Sequence, residues 1–144
     1  MILNVFFEEL KVDKKAKELP KTMNIRSEPK IIDVKIEDED RGILRIKFEF
    51  KIDYRPNVAK IYMKGFLFYS TNEWKKYFES WKKGKIDQRF DVEIKNFLLQ
   101  KCLSFGIKIA EEFKLPPPLP FPRIVPKRKI FFKRKEQSEI RYIG

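Results

Sequence analysis

Residues 43–54 read ILRIKFEFKIDY and, after the turn RPN (55–57), residues 58–69 read VAKIYMKGFLFY. The first stretch alternates strictly. Leu44, Ile46, Phe48, Phe50, Ile52 and Tyr54 fall on one face, with Arg45, Lys47, Glu49, Lys51 and Asp53 on the other. That period of two is the mark of a half-buried strand. Opposite charges spaced along the outer face can pair with neighbouring strands. The RPN turn predicts that the two stretches form a hairpin. The second strand is greasy on both faces. Ile61, Met63, Leu67 and Tyr69 lie on one side, with Tyr62, Phe66 and Phe68 on the other. One apolar face belongs to a core, and the second needs a cover.

Upstream, ILNVFFEELKV (2–12) is apolar and β-prone and reads as a first strand. Residues 13–30 are mostly polar, with Pro20 and Pro29 as breaks, and read as a loop with room for a short strand at 22–26. PKIIDVKIEDED (29–40) alternates again, with Ile32, Val34 and Ile36 inward, before the acidic turn EDEDRG (37–42). The expected sheet is an antiparallel meander of three or four strands.

Downstream the period changes. In STNEWKKYFESWKKGK (70–85), Trp74, Tyr77, Phe78 and Trp81 recur at helical spacing and Gly84 ends the run. Ser70 or Thr71 is the expected cap, with Glu73 completing a capping box. A longer helix spans 91–115, its stripe formed by Ile94, Phe97, Leu98, Cys102, Phe105, Ile109 and Phe113 and widened by Leu99, Leu103 and Ile107. PPPLPFPRIVP (116–126) holds six prolines in eleven residues, which no helix can traverse. The fold class is therefore α+β: an antiparallel sheet of about four strands, then two C-terminal helices. Residues 1–115 form a single domain, and 116–144 a proline-rich, basic extension that either adds a strand or forms a flexible arm.

The chain of 144 residues is long enough to bury a core, and 14 Phe with 42% hydrophobic residues give it the material. Charged residues make up 38%, rich in Lys and Glu, a balance often found in proteins from hot habitats. The net charge of +12 favours polyanions or acidic protein segments as partners. Residues 116–144 carry 8 Lys/Arg against 2 Asp/Glu, hence +6, as much as the rest of the chain together. One cysteine, Cys102, excludes an internal disulfide, and its setting LLQKCLSF reads as inert helix core. No apolar run reaches the roughly 18 residues of a membrane span. MILNVFFEEL lacks the basic start of a signal peptide, so a cytoplasmic protein is expected.

Catalytic chemistry is hard to place. Histidine is absent, which removes the usual general base near neutral pH and the commonest metal ligand. No zinc spacing, calcium loop, GxxxxGK[ST], GxGxxG or GxSxG occurs, and the paired carboxylates sit in plainly solvated contexts. The chain reads as a binding protein, with no cofactor and no metal.

Two binding surfaces compete. Lys127, Arg128, Lys129, Lys133, Arg134 and Lys135, interleaved with Phe131 and Phe132, could grip RNA or a ribosome through phosphates while the rings stack on bases. No motif of a known RNA-binding fold accompanies them, so that reading rests on charge alone. The aromatic surplus is the stronger signal. Tyr62, Phe66 and Phe68, with Trp74, Phe78 and Trp81 just beyond, exceed what one sheet face and two helices need. Helices on both faces, subunit contact, or a groove for extended polypeptide would each account for them.

The order of four strands and then two helices, with the longer helix running into prolines, resembles the SecB-like export chaperone family. KIYMKGFLFYS (60–70) is similar to that family's last strand, where an apolar segment around a glycine leads into the first helix. CLSFGIKIAEEFKLPPPLPFPRI (102–124) is similar to its long helix and apolar, proline-containing extension. The resemblance covers roughly residues 2–125, as pattern. It implies a homo-oligomer that binds unfolded or extended polypeptide along hydrophobic grooves without nucleotide. Tyr62, Phe66, Phe68 and Trp74 would line the groove, with Phe121 on the extension. The charge departs from the family, whose members are acidic and meet a basic tail on an export motor. This basic chain is ill suited to that motor.

Overall fold

The computed structural model describes residues 1–118 and the backbone of two short strands further on. Four long strands, β1 (Ile2–Lys14), β2 (Asn24–Asp38), β3 (Ile43–Arg55) and β4 (Ala59–Ser70), form one antiparallel sheet. Two helices follow, α1 (Trp74–Lys82) and α2 (Gln88–Glu112). The two-residue strands β5 (Phe121–Pro122) and β6 (Tyr142–Ile143) pair with each other in a second, small sheet.

The α+β expectation stands, but the sheet is not a simple meander. Its order is β1-β4-β3-β2, so the first strand closes against the last in a Greek-key-like return. The β3–β4 hairpin is as expected: Tyr54 lies opposite Ala59, and Asn57 takes the left-handed conformation (φ 50°) its side chain tolerates. β2 begins five residues earlier than the alternation of 29–40 indicated. Pro29 lies within it, opposite Phe50, which an edge strand allows because no outer neighbour needs its missing N–H.

Helix starts differ from expectation for local reasons. No Ser70–Glu73 capping box forms. Instead the Thr71 hydroxyl accepts the Glu73 N–H at 3.0 Å, and the Glu73 carboxylate accepts the Tyr77 hydroxyl at 2.8 Å. α2 starts at Gln88 because Asp87 caps it, accepting the Phe90 N–H at 3.2 Å. Its end is marked by Lys114 with positive φ and by the Leu115 N–H on the Ala110 carbonyl, a wrap of the Schellman kind. Lys14 Nζ donates to the Phe113 carbonyl at 2.9 Å, placing a cation at the negative helix end.

The core lies between the inner sheet face and the helices. Leu44, Ile46, Phe48, Phe50, Ile52, Ile61, Met63 and Leu67 are fully buried against Phe90, Ile94, Leu98 and Cys102 of α2. Each such side chain contributes about 1.5–3 kcal/mol by burial. Tyr77 of α1 stacks on Phe90 at 4.8 Å, and Tyr69 meets Phe90 edge-on at 5.2 Å. α1 lies towards β2, where Trp81 Nε1 donates to Asp33 Oδ1 at 3.3 Å. Among the described residues no helix covers the outer sheet face, so the possibility of helices on both faces is set aside.

Candidate functional site

The outer face is built in rows across the four strands, each fixed by register. Three rows at one end are checkered: Arg26–Asp53–Lys60–Asp13, Glu28–Lys51–Tyr62–Lys11 and Lys30–Glu49–Lys64–Glu9. Each cation there has a carboxylate beside or across from it, and the Tyr62 hydroxyl donates to Glu49 at 2.8 Å. Desolvation, then that hydrogen bond, pushes the Tyr62 phenol up to about 12.

At the other end the checkering stops. The next two rows are Asp33–Lys47–Phe66–Phe6 and Lys35–Arg45–Phe68–Asn4. Aromatic rings fill the half towards β1 and cations the half towards β2. Phe6 stacks on Phe66 with centroids 5.0 Å apart and meets Phe68 edge-on at 5.8 Å, while Phe66 and Phe68 meet at 5.6 Å. The Arg45 guanidinium lies 4.0 Å from the centre of the Phe66 ring. Such a pair is worth about 0.5–1 kcal/mol at an exposed site. Phe6 remains 44% exposed, so the cluster is an open apolar patch rather than a satellite core.

Two backbone irregularities make the patch. β1 carries a bulge in which Glu8 is the extra residue between the Phe7–Gly65 and Glu9–Lys64 pairs. At this crossing the strands lie so close that a Cβ on Gly65 would overlap the Phe6 carbonyl oxygen. Glycine at 65 thus lets β1 settle, turning Phe6 outward onto Phe66 and Phe7 inward onto Phe48 and Phe105. In β2, Ile32 is the extra residue, and it turns Asp33 and Lys35 onto the outer face.

Phe66 and Phe68 sit together in this patch. Tyr62 shares the face but stands two rows, hence four residues, from Phe66 along β4, beside a separate depression lined by Arg26, Lys51 and Lys60. Trp74 is elsewhere: it packs against the inner core from α1, next to the Gly42 turn. The side chain of Phe121 and residues Lys127, Arg128, Lys129, Lys133, Arg134 and Lys135 lie outside the described residues. Sequence reading missed Phe6 and Arg45. The alternation of NVFFEEL shows that Phe6 and Phe7 point oppositely, but nothing local reveals that β4 is the partner of β1.

Among the described residues no cluster of His, Cys, Asp or Glu could hold a metal ion, and no helix is long and apolar enough to cross a membrane. No family model and no curated protein sequence matches the chain. Among solved structures, the fold is similar to that of a SecB-like chaperone from Mycobacterium tuberculosis, determined in complex with a ChAD peptide from the HigA1 antitoxin. The superposition has a TM-score of 0.54 at 12% identity, covering 81% of this chain and 85% of the chaperone. At that identity the likeness speaks for the fold: a four-stranded antiparallel sheet followed by two helices.

Proposed function

We propose that this protein binds unfolded or extended polypeptide without nucleotide, as a homo-oligomeric holdase, and that the outer sheet face around Phe66 and Phe68 receives the client. One observation carries this reading. Phe6, Phe66 and Phe68 form an apolar patch on a sheet face that no described helix covers, although the same chain buries the inner faces of its central strands β3 and β4 under the helices. An apolar side chain of an extended segment gains about 25 cal/mol for each Å² it buries there. The peptide bound to the SecB-like structural neighbour supports the reading by analogy of fold. The RNA alternative has only the composition of residues 127–135 behind it.

The test is suppression of aggregation of a chemically denatured client, compared between the wild type and Phe66→Ser with Phe68→Ser. The double variant should keep its fold and lose protection. Equal protection by both proteins would remove the outer face from the mechanism.

A further inference from the structure

We infer that the outer face selects extended segments in which apolar or aromatic side chains are bordered by carboxylates; this rests on the polypeptide-binding reading above. The argument starts from a pairing that is unfavourable on its own. Lys35 and Arg45 stand directly opposite each other on neighbouring strands, and like charges so placed repel. Lys47 adds a third cation in the next row. In none of the other rows named above do two cations stand directly opposite each other, so the concentration of cations beside the phenylalanines is local.

The carboxylates nearby do not cancel it. Asp33 Oδ1 already accepts the Val34 N–H at 2.9 Å and the Trp81 Nε1–H at 3.3 Å, and Oδ2 lies 3.8 Å from Lys35. Among the described residues, Arg45 and Lys47 have no carboxylate oxygen within 4.0 Å, although Asp33 stands opposite Lys47 in register. Lys35, Arg45 and Lys47 line one shallow depression of about 240 Å³, with Asp33, Phe66 and the bulge residue Glu8. An apolar side chain on the phenylalanine patch would place a neighbouring carboxylate over this depression.

The ring geometry separates this occupant from a nucleic acid. Phe66 lies between the Arg45 guanidinium at 4.0 Å and the stacked Phe6 ring at 5.0 Å, so both its faces are taken. A stacking platform for bases needs free ring faces, and Phe66, the central ring of the cluster, offers none. Apolar side chains pack on edges as well as on faces, and carboxylates pair with Arg and Lys.

The experiment measures fluorescence anisotropy of the full chain with three labelled peptides that share a Phe-Leu-Phe centre and differ only in flanks of Glu, Gln or Lys. At low salt the Glu-flanked peptide should bind about tenfold tighter than the Lys-flanked one, and the gap should close near 0.5 M salt, where charges are screened within about 4 Å. Lys35→Glu with Lys47→Glu should reverse the order, and Glu8→Gln should tighten the Glu-flanked complex. Equal affinity for Glu and Lys flanks, with both complexes lost in Phe66→Ser with Phe68→Ser, would overturn the charge selection while leaving polypeptide binding in place. No binding of any peptide, together with no protection of a denatured client, would remove both. A single-stranded oligonucleotide that displaces the Glu-flanked peptide and binds more tightly, dependent on the same phenylalanines, would overturn it in favour of nucleic acid.

Discussion

The hydroxyl of Tyr54, on β3, donates a 2.7 Å hydrogen bond to the carbonyl oxygen of Pro116, the first residue of the proline run. The Tyr54 side chain is fully buried, and Leu115 and Pro118 are buried around the same exit. The chain leaving α2 is therefore pinned back onto the sheet. Replacing Tyr54 by Phe removes the bond and leaves the carbonyl without its partner. A loss of about 1 kcal/mol is expected, seen as a fall of a few degrees in Tm.

Alkali should unfold the protein. Burial pushes the Tyr54 phenol well above its ordinary value, and burial beside the Glu93 carboxylate does the same to Tyr69. A hydrogen bond to the Glu73 carboxylate, then burial, raises Tyr77 to about 12. A folded pKa above the unfolded one means that this stability is fully present below about pH 10 and is lost as pH rises through the folded values. Near-ultraviolet tyrosinate absorbance should then rise together with loss of circular dichroism above that pH. Ordinary titration of these tyrosines near pH 10 with the fold intact would contradict their burial.

Cys102 is fully buried in α2, and burial pushes its thiol up to about 12. A thiol reagent at neutral pH should leave the native protein unmodified and label it quickly once denaturant unfolds the domain. The labelling rate thus reports opening of the core.

The two faces of the sheet should respond oppositely to truncation. Phe48→Ala empties the buried core and should cost about 3–5 kcal/mol. Phe66→Ser acts on the half-exposed patch, so it should shift the denaturation midpoint far less while weakening client binding. Chemical denaturation and peptide binding on the same two variants separate stability from function.

Gly65→Ala would push a methyl group into the Phe6 carbonyl of the neighbouring strand. β1 must then move, so amide exchange in residues 4–9 should speed up while β3 stays protected. A destabilisation of about 1–3 kcal/mol is expected.

Much of this fold is legible in local pattern. The strict alternation of 43–54 and the aromatic spacing of 74–81 match β3 and α1 closely, because burial on one side imposes the period. β2 is longer than its hydrophobic part, since Asn24 to Lys30 join through backbone hydrogen bonds to β3 that polar side chains do not advertise. The pairing of β1 with β4 is a contact distant in sequence, and with it went Phe6. Trp74 looked like a groove residue because it follows Phe68 so soon in the chain. The turn at Ser70 and the start of α1 instead carry it to the inner side.

The sheet order carries a consequence for timing. β1 precedes β4 in the chain, and its partner is complete only when Ser70 has been made. A ribosome adding about 5–20 residues each second leaves that first strand unpaired for several seconds. During this interval NVFFEEL, two aromatic residues followed by two carboxylates, is an unsheltered segment of the kind the finished face is inferred to take. A growing copy is thus a candidate guest for a finished one, and the protein's own biogenesis would be among the first processes to feel its abundance.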